Sequence, residues 1–405
     1  MTVPCAAPSQ TELLDVWRNT AELGRIEVRP HILEWDRLAR FPREIWQTLG
    51  DAGLLGLPFP KAFGGSGKTA QHLAAALDGF AYGSKDLGIV NSWGVHTGMA
   101  GVAVAKFGTR DQQERYLPRM ASGKIVAAFA ISEPEAGSHA SAIRTSALRD
   151  NNSYILSGEK AFVTNGPDAD LFIITTQVES DTGPKPTAFL LERVPGLHVG
   201  PQLEKSCIRT SSINNIQMNE CRVPASQRLG EEGQAFEAIV PLALNWDRAA
   251  VWGGRLGRLR SILEDSIVYA SKRVQFGKPI GKHQSIGFKL ADMKVRLDAA
   301  EYLLQGALKV VDEMRSDSTL IPIARLFLGE SVMAAAIDAA QIFGGYAFYP
   351  ENHVERYYRD AKLDGIGGGT SEIQRLIIAR ELLLRFDKAE PSVWMSDFVL
   401  PFKGA

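Results

Sequence analysis

Glycine-rich runs that end in lysine and threonine can cradle phosphate, so the segment Ala62 to Thr69, closing on Gly67-Lys68-Thr69, is the first candidate for chemistry in this chain. A phosphate-binding P-loop needs glycine where Ala62 stands and a buried strand before it, and the preceding Leu57-Pro58-Phe59-Pro60 offers neither. Gly365 to Thr370 (GIGGGT) lacks the G-x-G-x-x-G spacing of a dinucleotide turn and lies between helical segments. Ser66 misses the second glycine of a nucleophile elbow, which leaves hydrolysis without an anchor. The histidines at 31, 72, 96, 139, 198, 283 and 353 show no H-E-x-x-H or similar ligand spacing, so no metal is expected.

The elements that position any site follow from hydrophobic periodicity. With 405 residues, 45% of them hydrophobic, the chain can bury a large core in two or three domains. Thr11 to about Met120 reads as helices with apolar residues at three- and four-residue spacing, and we assign residues 1–120 to an N-terminal helical domain. Within 121–230 the pattern turns to short β-type runs: Tyr154 to Leu156, Leu171 to Ile174, Ala188 to Leu191 and Ile213 to Met218. Helical spacing returns over 231–385, where Leu297, Ala300, Leu304, Ala307, Leu308 and Val311 mark one face of a bundle helix. A tail, 386–405, carries Trp394, Phe398 and Phe402.

Lysine plus arginine (45) nearly balances aspartate plus glutamate (46), so no overall field attracts nucleic acid or an anionic membrane. Cys5, Cys207 and Cys221 are an odd set without C-x-x-C spacing and read as thiols of a reducing compartment. The N-terminus lacks a signal-peptide pattern and no run of about 18 apolar residues stands out, so a soluble cytoplasmic protein is the expectation.

Read in order, the helix–β–helix layout carries Ala130 to Ser138 (AISEPEAGS), Gly158 to Gly166 (GEKAFVTNG), Arg273 to Ile280 (RVQFGKPI) with Gln284 and Ala291-Asp292-Met293, then Phe343-Gly344-Gly345, Arg359 to Lys362 (RDAK) and Gly369 to Gln374 (GTSEIQ). From about Glu12 to Leu384 this resembles the acyl-CoA dehydrogenase family. Each motif alone is weak, and several in family order are specific. The resemblance implies an α+β fold with an N-terminal helical domain, a central β-barrel domain and a C-terminal four-helix bundle. It implies FAD between barrel and bundle, and a homo-oligomer, tetramer or dimer.

Carried over by position, the resemblance sets Phe129, Ile131, Ser132, Gly137 and Ser138 along the flavin or the substrate entrance. Phe162, where tryptophan is commoner, and Thr164 would face the isoalloxazine ring. Arg273, Gln275, Phe276 and Gln284 would reach the adenosine diphosphate part from a neighbouring subunit, as would Gln341, Gly344 and Gly345, and Thr370 and Glu372 would also touch the cofactor. A pyrophosphate suits a guanidinium fork and close backbone approach, which arginine and paired glycines supply. Without the other motifs, the same glycines would read as helix-packing residues.

Oxidation between the α and β carbons of a thioester needs a carboxylate for the α-proton, a hydride acceptor on the opposite face and donors for the enolate oxygen. In many family members the base is the glutamate just before Gly-Thr, but here that position is Gly368. A second branch, with isovaleryl-CoA dehydrogenase and prolyl-carrier dehydrogenases, places it in a Trp-Glu-Arg-like context, and this chain has Asn245-Trp246-Asp247-Arg248 there. The resemblance therefore implies Asp247 as base, Arg248 beside it and the Gly368 N–H as a donor to the thioester carbonyl. The competing reading is a helix-surface ion pair between Asp247 and Arg248.

The resemblance implies coenzyme A or the phosphopantetheine arm of a carrier protein as the substrate handle, and Arg209 to Ser212 (RTSS) together with Trp246-Asp247-Arg248 resembles the branch that includes biosynthetic enzymes, so a carrier-bound substrate in secondary metabolism is one of the two expectations. The resemblance implies an electron-transfer flavoprotein or oxygen as the electron acceptor. A flavin monooxygenase or oxidase on the same scaffold is the alternative, kept open by Gly368 and by His139 in place of the usual aspartate.

Overall fold

Three layers of secondary structure follow one another along the chain in a computed structural model that describes residues 7–181, 183–315 and 319–388. The expected tail, 386–405, lies almost wholly outside these, as does Cys5. The first layer comprises α1 (Gln10–Leu23), α2 (Ile32–Leu38), α3 (Arg43–Asp51), α4 (Ala70–Ser84), α5 (Gly88–Gly94), α6 (Val102–Phe107) and α7 (Arg110–Ala121). Local sequence starts these helices: Thr109 and Gln112 satisfy each other's backbone N–H groups at the head of α7. Thr69 and His72 do the same for α4, which spends His72 on structure.

The strands are β1 (Ala127–Ala130), β2 (Ser146–Asp150), β3 (Ser153–Thr164), β4 (Leu171–Val178), β5 (Lys185–Leu191), β6 (Leu197–Val199), β7 (Ile213–Pro224) and β8 (Arg228–Leu229). They form one sheet in the order β6-β7-β3-β2-β4-β5-β8, with β1 paired to β4 in parallel. All four β-type runs read from the sequence lie in this sheet, the region expected as a barrel. Its strand faces divide between two cores. Phe172 and Ile174 pack with Ala128 and Ala130 inside the sheet domain. Leu171 and Ile173 turn the other way, joining Ala127 and Phe129 in a cluster with Val95, Met99, Ile239, Val240 and Ala243. The period-two alternation of β1 and β4 thereby seats the end of β1 on the helices that follow the sheet.

Those helices are α8 (Val240–Trp246), α9 (Gly253–Lys272), α10 (Gln284–Asp312), α11 (Leu320–Phe343), α12 (Val354–Ala361) and α13 (Ser371–Lys388), with a β9 (Val274–Gln275) and β10 (Lys278–Pro279) hairpin after α9. Helices α9, α10 and α11 pack on one another, and α13 packs on α11. The six apolar residues expected on one face of α10 are all buried. Segment Leu320–Phe348 is long and apolar enough to cross a membrane, although Arg325, Glu330 and Asp338 interrupt its apolar run. More than half of its most apolar window is buried inside the bundle.

Candidate active site

Asp247 opens a wider, π-type turn, Asp247–Val251, that continues α8 towards α9. Its side chain is 9% exposed and makes no ion pair with Arg248 among the described residues, so the surface-pair reading is wrong. Burial pushes the Asp247 carboxyl above its ordinary value, against the pull of Arg255, Arg248 and Arg325. Arg248 is turned elsewhere: its Nε donates to the Gly368 carbonyl at 2.9 Å.

The run Gly367-Gly368-Gly369 lies against this carboxylate. Arg325 Nη2 donates to the Gly367 carbonyl at 2.5 Å, and Gln374 Nε2 donates to the Gly369 carbonyl at 3.0 Å. With Arg248 on Gly368, all three carbonyls of the run are held. Gly368 has φ +65°, and a Cβ added there would stand 2.5 Å from Asp247 Oδ2. Any side chain at 368 would therefore displace the carboxylate. The two positions compete for one space, which sequence alone does not reveal. The Gly368 N–H donates to no other group among the described residues, which leaves it available to an incoming oxygen. Thr370 receives the Ile373 N–H at 3.3 Å as the start of α13, and Glu372 is exposed on its first turn.

On the sheet side, a register shift between Lys160 and Val163 in the β3–β7 pairing sets Phe162 at φ +55°. The bulge turns the ring outward, 70% exposed, while the Phe162 N–H donates to Asn215 Oδ1 at 3.2 Å. Thr164 is half-buried on the same strand. The Ala161 N–H donates to the Ser132 carbonyl at 2.9 Å, which joins the loop after β1 to this bulge. Phe129 is buried in the cluster it shares with α8, Ile131 is half-buried, and Gly137 and Ser138 are exposed, with open space around Gly137. Beneath them Lys160 is fully buried, donating to Glu133 Oε1 at 2.7 Å and to the Ile131 carbonyl at 3.1 Å. Glu133 also accepts from the Thr145 hydroxyl and the backbone N–H groups of Arg144 and Thr145. Burial raises the Glu133 carboxyl, but Lys160 and Thr145 outweigh it and hold it below its ordinary range.

A second group forms on the bundle. A cleft of ≈ 670 Å³ is lined by Arg273, Gln275, Phe276, Gly344 and Gly345, among others. Gln284 and Gln341 are exposed next to lining residues but do not line it. Phe276 and Gly277 both take positive φ (+51° and +76°) as the two-residue turn between β9 and β10, and the Phe276 ring is 94% exposed. The Arg273 guanidinium lies 5.6 Å from the Tyr346 ring centroid and has no carboxylate partner among the described residues. Nothing lies within 4 Å of a Cβ placed on Gly344, at φ +57°, or on Gly345. Bare backbone, a free guanidinium and an exposed aromatic ring suit a nucleotide pyrophosphate. This cleft shares no lining residue with the Asp247 and Phe162 group, so the expected cofactor residues fall into two sets within one chain.

Three family models match in chain order: the acyl-CoA dehydrogenase N-terminal domain over 9–124, the middle domain over 128–221 and the C-terminal domain over 237–383. The chain belongs to the acyl-CoA dehydrogenase family. An acyl-CoA dehydrogenase of Bacillus subtilis strain 168 is 36% identical over 364 residues, 89% of this chain and 95% of that one. An L-prolyl-[peptidyl-carrier protein] dehydrogenase of Pseudomonas fluorescens is 36% identical over 347 residues, covering 85% and 91%. The solved FAD complex of PigA superposes with a TM-score of 0.89 at 31% identity, covering 94% of this chain and 100% of that one. Membership makes this chain an enzyme of the dehydrogenase class with the family's three-domain fold. Sequence reasoning missed Arg255 and Arg325, both buried beside Asp247. Arg325 was visible as the one cation in the buried α11 stripe Ile321, Arg325, Leu328, Val332, Ala335.

Proposed function

We propose that the protein is an FAD-dependent dehydrogenase of acyl thioesters, carried on coenzyme A or on a carrier-protein arm, with Asp247 as the base. The observation that carries this reading is the 2.5 Å approach of Asp247 Oδ2 to the space a side chain at 368 would fill. A carboxylate reaching from the α8 turn takes the place the commoner glutamate would occupy. Burial raises the affinity of Asp247 for a proton, which suits a group that must take one from carbon. The Gly368 N–H would donate to the thioester oxygen as negative charge develops there. Arg248 fixes that glycine through its carbonyl and acts by positioning.

Bound FAD supplies the hydride acceptor for the β-carbon. Phe162 and Thr164, with Phe129, Ile131, Ser132, Gly137 and Ser138, would border its ring system, with Thr370 and Glu372 on the bundle side. Arg273, Gln275, Phe276, Gly344 and Gly345 would hold the pyrophosphate end, with Gln284 and Gln341 at its margin. Because the two sets stand apart in one chain, we assign the second to a neighbouring copy, in a dimer or tetramer. The highly exposed Phe276, Tyr302, Phe348 and Leu383 of the bundle domain support such assembly.

The test is the visible spectrum of the purified protein under anaerobic addition of acyl thioesters. Bleaching of stoichiometric flavin by a thioester is the expected result, and re-oxidation by air against re-oxidation by electron-transfer flavoprotein then identifies the acceptor. Flavin that bleaches only with a nicotinamide reductant and consumes oxygen would replace this reading with a monooxygenase or oxidase.

A further inference from the structure

One buried arginine braces both walls of the proposed site. Arg325 is fully buried in α11, among apolar residues that include Ile321 and Leu328. Its guanidinium carbon lies 4.5 Å from the centroid of the Trp252 ring, and Trp252 directly follows the Asp247–Val251 turn. The edge of that indole rests on α11 one turn further on, where a Cβ placed on Gly329 would stand 3.2 Å from Trp252 Cη2 and Cζ3. Arg325 Nη2 donates to the Gly367 carbonyl at 2.5 Å, one residue before Gly368. A single side chain thus holds the turn that carries the base and the run that carries the N–H donor, from a helix that carries neither.

This brace is kept at a cost to stability. Arg325 makes no ion pair among the described residues, and its buried Nε and Nη1 have no hydrogen-bond partner. Its charged neighbours are Asp364, Asp247, Arg248 and Arg255, so it is the third cation beside two carboxylates. Burial lowers its proton affinity to about 10, which leaves it charged at neutral pH. An incompletely partnered buried cation destabilises a fold relative to an apolar side chain of similar length. Methionine would fill the same space, and its substitution would leave two guanidiniums facing two carboxylates. Packing therefore does not account for an arginine here.

We propose that Arg325 is a positioning residue for the reaction, fixing the Asp247 carboxylate relative to the Gly368 N–H by holding Trp252 and Gly367 together. The proposal rests on Asp247 as the base, the reading given above. Arg325 itself touches neither substrate nor flavin in it. Its charge has a second effect: with Arg255 on α9 and Arg248 on the same turn, it pulls the Asp247 carboxyl down against burial. The nearby Asp364 is engaged by Arg255 Nε at 3.0 Å.

The experiment uses the flavin-loaded, full-length protein and anaerobic stopped-flow bleaching. Butyryl, isovaleryl and prolyl thioesters are offered both as coenzyme A esters and on a phosphopantetheinylated carrier protein. Arg325→Met is expected to keep its flavin and to melt no lower than the wild type, yet to bleach at least about 10-fold more slowly at saturating thioester, since misplacement by about an ångström costs around 100-fold. The base works deprotonated, so bleaching quickens as pH rises, and the midpoint of that rise should move to higher pH when Asp247 loses one of the cations that lower it. Arg325→Lys keeps the charge and loses the flat face over Trp252, so it should restore the wild-type midpoint and only part of the rate. If Arg325→Met does not fold, Arg325→Lys decides: slower bleaching at the wild-type midpoint supports the proposal, and the full wild-type rate overturns it. An Arg325→Met protein with the wild-type rate and midpoint, or one that melts lower with an unmoved midpoint, overturns the proposal and leaves the dehydrogenase reading in place. A wild-type protein that no thioester bleaches overturns the dehydrogenase reading, and this proposal with it.

Discussion

Two buried ionic groups, one in the sheet and one in the bundle, use the same residue types to opposite ends. In the sheet, Lys160 and Glu133 form a closed network: the ammonium reaches a carboxylate, a carbonyl and the Thr175 hydroxyl, and the carboxylate takes four hydrogen bonds from lysine, hydroxyl and backbone. Near α8, the Asp247 carboxylate accepts no hydrogen bond among the described residues, and its arginine neighbours spend only part of their donors on protein. A satisfied buried network fixes structure, whereas an unsatisfied one is held at a cost to stability. The first belongs to the scaffold under the proposed flavin ring and the second to the proposed chemistry. The contrast predicts that removing a charge costs stability in the sheet and rate at Asp247.

The largest separation is expected from Asp247→Asn, which should slow flavin reduction by about 10²- to 10⁴-fold, with flavin content unchanged. Stopped-flow bleaching and the spectrum of the purified variant check both halves. Lys160→Met is the converse: it should destabilise the fold by about 3–5 kcal/mol by stranding Glu133, read as a lower urea midpoint. Unchanged stability would break the comparison.

Gly368→Ala sharpens it, because the new Cβ would meet Asp247 Oδ2 and a residue with φ +65° is strained. Displacing the carboxylate by about an ångström should cost around 100-fold in the rate of bleaching. Gly368→Glu combined with Asp247→Ala should recover part of the rate that Asp247→Ala alone loses, since the two side chains share one space.

The smallest effect is on stability against pH. The folded Asp247 carboxyl titrates above its unfolded value, so the folded state holds the proton more tightly. Its stabilising contribution relative to Asp247→Asn is present below the ordinary carboxylate pKa and is lost as pH rises through the raised one. Melting temperatures of the two proteins, measured from acid to neutral pH, should therefore move against the wild type as pH rises.

Much of the frame was legible because periodicity reports burial directly. The runs Leu171 to Ile174 and Ala188 to Leu191 read as strands, and the α10 face from Leu297 to Val311 reads as core. The two sides of the site were legible only through motif order. The meeting of Asp247 with Gly368 joins residues 121 positions apart, and nothing in local spacing announces it. Arg255 escaped notice because arginine is ordinarily exposed and its partner Asp364 lies 109 residues on. Arg273, Phe276 and Gly344 were grouped through the resemblance alone, and the cleft they share exists only once the β9–β10 hairpin folds beside the end of α11.

The most direct test of the central claim is anaerobic stopped-flow bleaching with a thioester that bears either hydrogen or deuterium at its α-carbon, in the wild-type protein and in Asp247→Asn. If Asp247 takes the α-proton, deuterium slows bleaching in the wild type and the Asn variant, still carrying its flavin, scarcely bleaches with either substrate. An Asn variant that bleaches at the wild-type rate would contradict the account.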